Sequence, residues 1–198
     1  MKKRLAVMIS GRGSNMLAIA QNVENGILKD IAEIVIVFSN RKKAPGLQKA
    51  RKLGLETVVI PSKKRDRKKY DAEVAKVLQQ FKPDFVILAG YMRVLTANFV
   101  EKFRIINIHP ADTNKHQGLG GYEWAWKNRL SKTKITVHYV DSDLDTGKII
   151  AQREVDLKGV ESLYEVEQRG LAVEHKFYSE VIRQICENEE TDGKDRSN

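Results

Sequence analysis

Two alternating patterns of apolar residues organise the first half of the chain. Continuous runs rich in branched residues occupy positions 5–9, 34–38, 57–60, 85–89 and 105–108, and unbroken runs of this length are how parallel strands buried on both faces appear in sequence. Between them lie stretches whose apolar residues recur three and four apart, which puts them on one helical face. Positions 16–23, 45–53 and 70–81 predict helices, the last carrying Tyr70, Val74, Val77, Leu78 and Phe81 on one side and bounded by Pro61 and Pro83. The resulting β-α-β-α-β-α-β order predicts an α/β fold with an open, mostly parallel twisted sheet and helices on both faces. Ligands are then expected at the carboxyl ends of the strands.

The second half changes character. Positions 135–140 and 149–155 predict a pair of strands whose connection is too long for a tight hairpin. Positions 162–186 predict one long amphipathic helix bearing Leu163, Val166, Leu171, Phe177, Val181 and Ile185, with Gly170 weakening its middle. Positions 187–198 are polar and predict a frayed tail. No repeat or second domain is evident, so positions 1–186 read as a single domain.

Composition narrows the picture. A chain of 198 residues with 41% hydrophobic content can bury a core as one domain. Its one cysteine, Cys186, cannot form an internal disulfide and belongs more naturally to the core than to a nucleophilic site. Reducing, cytoplasmic conditions are expected. No apolar run approaches the ~18 residues of a membrane span, and no signal peptide is recognisable. The 35 Lys and Arg exceed the 26 Asp and Glu, a net charge of +9 concentrated around positions 41–43, 49–52 and 63–69. Such runs are most often a solvated face. Nucleic-acid binding, the charged surface of a thermophile, or attraction of a small phosphorylated substrate are the other readings.

Candidate chemistry gathers in three places. Gly11-Arg12-Gly13-Ser14-Asn15 follows the first strand and opens the first helix, where free backbone N–H groups and the positive helix end would hold an anion. Its spacing matches neither the dinucleotide fingerprint nor a Walker loop. A tight turn capped by Ser14 or Asn15 is the plainer reading. Asn107 and His109 stand two apart in a strand and project to the same side. An amide beside an imidazole suits stabilisation of a developing oxyanion, the alternative being a pair of polar groups closing a strand end. The third place is positions 141–147, Asp-Ser-Asp-Leu-Asp-Thr-Gly. A carboxylate from here, delivered to His109, would hold the ring and raise its pKa above the usual ~6.5. A calcium loop lacks its downstream glutamate, and the four histidines have no ligand spacing, so no metal is expected. Trp124 and Trp126, two apart, would face different ways in a helix and read as packing.

Gly-Arg-Gly-Ser-Asn after the first strand, Ala-Gly-Tyr-Met-Arg-Val-Leu after the fourth, Asn-Ile-His-Pro, then Val-His-Tyr-Val-Asp-Ser-Asp-Leu-Asp-Thr-Gly, in that order, resemble the folate-dependent formyltransferases. The resemblance runs from about Lys3 to Glu174-His175. It implies a Rossmann-like fold and transfer of a formyl group from 10-formyltetrahydrofolate, as co-substrate, to the primary amine of glycinamide ribonucleotide in purine biosynthesis. It implies Asn107, His109 and Asp145 as the catalytic trio, with His138 beside the folate pocket. Gly13, Ser14 and Asn15 would hold the substrate phosphate and Glu174 its ribose. Arg67, Met92, Arg93, Val94, Leu95 and Asn107, with Ser142, Asp143 and Leu144, would surround the folate, its pterin lying against Leu88, Val94 and the 140s loop. No metal is implied; the partners are small molecules rather than nucleic acid or membrane, and the protein is a monomer or homodimer.

One stretch departs from the family. Asn-Ile-His-Pro commonly continues Ser-Leu-Leu-Pro, whereas this chain has Ala111-Asp112-Thr113-Asn114, and a glycine run follows Leu119 where a polar residue often meets the nucleotide. The amine-bearing acceptor is therefore less constrained than the formyl donor. A formyltransferase acting on another amine, such as an amino-sugar nucleotide, and a non-catalytic α/β module binding phosphorylated ligands or RNA are the alternatives. A transfer-RNA formyltransferase would carry a further basic domain after this one, and a formyltetrahydrofolate hydrolase a regulatory domain before it.

Overall fold

In the computed structural model, which describes residues 1–141 and 143–195, with side chains through residue 188, seven strands form one sheet. The parallel strands are β1 (Lys3–Ile9), β2 (Ala32–Ser39), β3 (Thr57–Val59), β4 (Phe85–Leu88) and β5 (Ile105–His109). The antiparallel strands β6 (Lys132–Tyr139) and β7 (Ile149–Asp156) complete it in the order β3-β2-β1-β4-β5-β6-β7. Helices α1 (Ser14–Asn25), α2 (Pro45–Lys52), α3 (Arg67–Gln80), α4 (Ala97–Val100), α5 (Gly121–Lys127) and α6 (Leu163–Asp195) connect and flank the strands. The α/β class is as expected. No described helix is long and apolar enough to cross a membrane.

The unbroken apolar runs reflect burial of alternate residues on opposite faces. Leu5, Val7 and Ile9 join Met16, Ile19, Phe177 and Val181 in one core, while Ala6 and Met8 join Phe38, Tyr70, Val74 and Val86 in the other. Cys186 is buried in the first core. Gly170 falls inside α6 without ending it, and that helix runs past residue 186 to Asp195. Two elements had no sequence signal, the short helices α4 and α5. α3 starts three residues earlier than its apolar spacing indicates, because the Asp66 carboxylate accepts the Lys69 N–H at 2.9 Å and caps it.

Strand order positions the site. The chain builds outward from β1 to β3, then returns to place β4 on the other side of β1, so the loops leaving β1 and β4 diverge and open a crevice at their carboxyl ends. The crevice floor is tied together by short contacts. Ser10 donates its N–H to the Gly90 carbonyl at 3.0 Å, its Oγ donates to Asn40 Oδ1 at 2.6 Å, and the same Oγ accepts the Met92 N–H at 2.8 Å. From α6, the wholly enclosed Tyr178 hydroxyl reaches the carbonyls of Leu88 (3.1 Å) and Ile106 (2.9 Å), joining the ends of β4 and β5. Tyr178→Phe is expected to lower unfolding free energy by about 1–2 kcal/mol in a denaturant titration, the cost of stranding buried acceptors; an unchanged midpoint would exclude this bridge as a stabilising contact.

Candidate active site

β5 delivers Asn107 and His109 to one side of the sheet, and the loop after β6 folds back to meet them with Asp145. Asp145 Oδ2 lies 3.3 Å from His109 Nδ1 and accepts the Gly118 N–H at 2.8 Å. Its Oδ1 accepts from Asn107 Nδ2 at 3.3 Å and stands 3.5 Å from His138 Nε2. The trio thus converges. Holding Asp145 there requires a left-handed backbone, φ 54°, which aspartate tolerates better than most residues.

Hydrogen-bond chemistry assigns roles within the cluster. The Tyr139 carbonyl can only accept, so His138 Nδ1, 2.8 Å away, donates, and His138 Nε2 is left to accept from Asn107 Nδ2 at 3.2 Å. Both amide hydrogens of Asn107 are therefore engaged. His109 faces acceptors on both sides, Asp145 at Nδ1 and the His116 carbonyl, 3.0 Å from Nε2. Burial pushes Asp145 up, but the neighbouring His138 ring, the Gly118 N–H and the nearby His109 hold its carboxyl below the usual range.

For His109 the balance falls the other way. Burial lowers the imidazole pKa, and the Asp145 charge and His116 carbonyl only partly oppose it. The expected rise above the ordinary value is thus corrected, because charging a ring this deeply enclosed costs more than one adjacent carboxylate returns.

Two cavities meet at this cluster. The larger, about 390 Å³, is lined by Met92, Arg93, Val94, Leu95, Asn107, His109, His138, Asp143, Leu144 and Asp145, with Leu88 and Val140 on its floor. The smaller, about 340 Å³, is lined by Gly13, Ser14, Asn15 and Glu174, with Arg12 and Arg41 supplying positive charge. Gly90, Met92, Ile108 and Pro110 belong to both walls. Of the predicted residues, Arg67 stands apart; it is exposed at the start of α3 and lines a neighbouring hollow that shares Leu95 with the larger cavity. Ser142 lies outside the described residues.

Each turn has a local cause. Gly13 is itself the N-cap of α1, in the left-handed region at φ 67°, so neither Ser14 nor Asn15 caps the helix as the plainer reading had it. A Cβ on Gly13 would lie 2.8 Å from the Gly46 Cα, which only a glycine avoids. Asn15 turns its amide to Glu174 instead. The 111–121 segment, where the family pattern is broken, folds over the cluster. The Asp112 carboxylate receives Lys134 Nζ at 3.1 Å, Gln152 Nε2 at 3.1 Å and the Asn114 N–H at 3.2 Å. The His116 ring stacks on Trp124 at 5.1 Å between centroids and Trp124 packs against the core, as the packing reading has it, while Trp126 is exposed.

Sequence reasoning missed Asp71. Buried on α3, it accepts the Thr96 N–H at 2.8 Å and faces Arg93 Nε at 3.8 Å, while the Arg93 guanidinium lies 4.6 Å from the Tyr70 ring centre. The folate-pattern segment 91–96 is thereby fastened to α3. The signal was a carboxylate in the buried spacing of that helix, in step with Ala75 and Leu78. Among the described residues no group of three or more histidine, cysteine, aspartate or glutamate side chains is gathered as a metal would need.

Fold and site together define an open-sheet α/β protein with an amide–imidazole–carboxylate cluster between two small-molecule cavities. The chain belongs to the formyl transferase family, which matches residues 3–182. It is 36% identical over 188 residues to the trifunctional purine biosynthetic protein adenosine-3 of Bos taurus, covering 93% of this chain but 18% of that protein. It is also 36% identical over 198 residues to phosphoribosylglycinamide formyltransferase of Schizosaccharomyces pombe, covering 91% of this chain and 96% of the other. Among solved structures, glycinamide ribonucleotide transformylase 1 of Symbiobacterium toebii superposes with a TM-score of 0.89 at 33% identity, covering 94% of this chain and 89% of that one.

The opposed effects on His109 can be measured directly. Its NMR titration midpoint is expected below the free imidazole value of about 6.5, and Asp145→Asn should lower it further by removing the charge that favours the protonated ring. A midpoint that rises in the variant would contradict this electrostatic assignment.

Proposed function

We propose that this protein transfers the formyl group of 10-formyltetrahydrofolate to the primary amine of glycinamide ribonucleotide, in purine biosynthesis, without a metal. The observation that carries the reading is the shared wall of the two cavities, with Asn107, His109 and Asp145 beside it. The larger cavity suits a pterin against Leu88, Val94 and Val140; the smaller, flanked by Arg12, Arg41 and the start of α1, suits a phosphate. Relatives of nearly the same length bear the name phosphoribosylglycinamide formyltransferase.

The amine nitrogen attacks the formyl carbon, giving a tetrahedral adduct with a negative oxygen and a positive nitrogen. Asn107 turns an amide hydrogen from its resting partners to that oxygen, and His109 offers Nε2–H once the His116 carbonyl withdraws. Burial keeps the resting ring short of its second proton. The developing oxyanion and the Asp145 carboxylate then favour moving a proton from the adduct's positive nitrogen onto the ring, by way of water beside Asp145, so charge accumulates where the reaction needs it. The ring passes that proton to the folate nitrogen as the bond to it breaks, and returns to its resting state. Orientation of two bound substrates and exclusion of bulk water supply much of the remaining acceleration.

A spectroscopic assay with the formyl-folate and a panel of amines tests this reading. Formylation of glycinamide ribonucleotide is expected; transfer to an amino-sugar nucleotide alone would reassign the acceptor, and absence of transfer to any amine would reject the proposal. Asn107→Ala should reduce kcat about 10²- to 10³-fold with the fold intact. Gly13→Val should raise the acceptor KM about tenfold or more by pushing the turn away from Gly46 and so displacing the N–H groups that would hold the phosphate, leaving the folate KM near its original value. Equal changes in both KM values would refute the division of the two cavities.

A further inference from the structure

Three polar side chains from three different helices meet at the back of the smaller cavity. Glu174 of α6, 5% exposed, accepts from Asn15 Nδ2 of α1 at Oε2 and from the Tyr122 hydroxyl of α5 at Oε1. A carboxylate has about four lone-pair positions, so two protein donors leave it two acceptors in fixed directions. Asn15 Oδ1 is buried beside them with no hydrogen-bond partner among the described residues, although Asn15 and Glu174 both line the cavity. This corner of the cavity wall therefore presents unfilled acceptors, the remaining lone pairs of Glu174 and Asn15 Oδ1. What fits is a ligand with adjacent donors, such as the neighbouring hydroxyls of a sugar.

Tyr122 can take its place because of a gap in the opposite helix. A Cβ on Gly170 would stand 2.1 Å from the Tyr122 Cε1 and 2.3 Å from its Cζ and hydroxyl oxygen. A glycine within a helix costs roughly 1 kcal/mol relative to alanine; here it clears the seat of an aromatic ring whose hydroxyl lands on Glu174. Burial and the adjoining carboxylate push the Tyr122 phenol pKa well above its ordinary value, so its hydroxyl stays protonated and donates. Burial also raises Glu174, against the hydrogen bonds from Tyr122 and Asn15. Without the phenol the carboxyl would lose its orientation and tend toward the protonated form, presenting a donor where the cavity now has an acceptor.

We infer that Tyr122, seated on Gly170, is a positioning residue that aims the Glu174 carboxylate at a pair of adjacent sugar hydroxyls on the amine-bearing substrate. This rests on the reading of the smaller cavity as the acceptor site. It assigns the recognition of ribose over deoxyribose to a contact between α5 and α6 rather than to the phosphate loop.

Calorimetry with ribose 5-phosphate and 2-deoxyribose 5-phosphate separates the inference from the proposed activity. The unmodified protein should prefer ribose about tenfold, and Tyr122→Phe, which keeps the ring and removes one hydroxyl, should abolish the preference. Where glycinamide ribonucleotide is formylated, Tyr122→Phe should raise its KM about tenfold while kcat and the folate KM stay within about twofold. Gly170→Ala should reproduce the acceptor defect despite its better helix propensity, and the double variant should be no worse than either single one. A ribose preference that survives Tyr122→Phe, or that the unmodified protein never shows, would overturn the inference. Loss of the preference with no formyl transfer in the unmodified protein would leave the positioning role standing and reject the acceptor.

Discussion

The order of strands around β1 is the constraint on which the rest of the structure depends. Because β1 pairs with β2 on one side and β4 on the other, the chain must reverse direction across the sheet, and beyond the Ser10 contacts with Gly90 and Met92 the two connections part toward opposite faces. The crevice is thus a consequence of connectivity. The candidate site residues are attached to its margins: the glycine turn after β1, the 90–96 segment after β4, and Asn107 and His109 at the end of β5. Antiparallel β6 and β7 extend the sheet beyond β5, and their connection brings Asp145 back to it.

Electrostatics inside the crevice is a contest between burial and pairing. Asp145 ends below the usual carboxyl range because several donors outweigh its burial, whereas His109 ends below the usual imidazole range because burial outweighs its partner. The two shifts are compatible. In the proposed reaction, a fixed negative charge beside a reluctant base would let new negative charge on a substrate tip a proton onto the ring. A site that held its imidazolium permanently would have less to gain at the moment of reaction.

The 111–121 segment, where the chain departs from the family's usual wording, packs over the Asn107, His109 and Asp145 cluster. Asp112 is engaged by Lys134 and Gln152, and so anchors the segment to β6 and β7. His116 is held by Trp124 and lends its carbonyl to His109. The altered segment is therefore held by its own contacts, and the trio converges beneath it.

Much was legible from residue order alone. Apolar runs and helical spacing are local properties, and a strand buried on both faces must be apolar at every position, so the parallel part of the sheet and its helices could be read directly. The two-residue interval of Asn107 and His109 likewise guaranteed a shared face. The tertiary structure decided matters that depend on distance through space. The sign of the His109 shift rests on how deeply the ring is enclosed, a sum over side chains far apart in sequence. Asp71 and Tyr122 carry no motif, and their roles arise because α3 meets the 91–96 segment and α5 meets α6. Gly170 shows the difference most plainly: along the chain it is a weak point in a helix, and only the ring packed against it reveals why a larger residue would not fit.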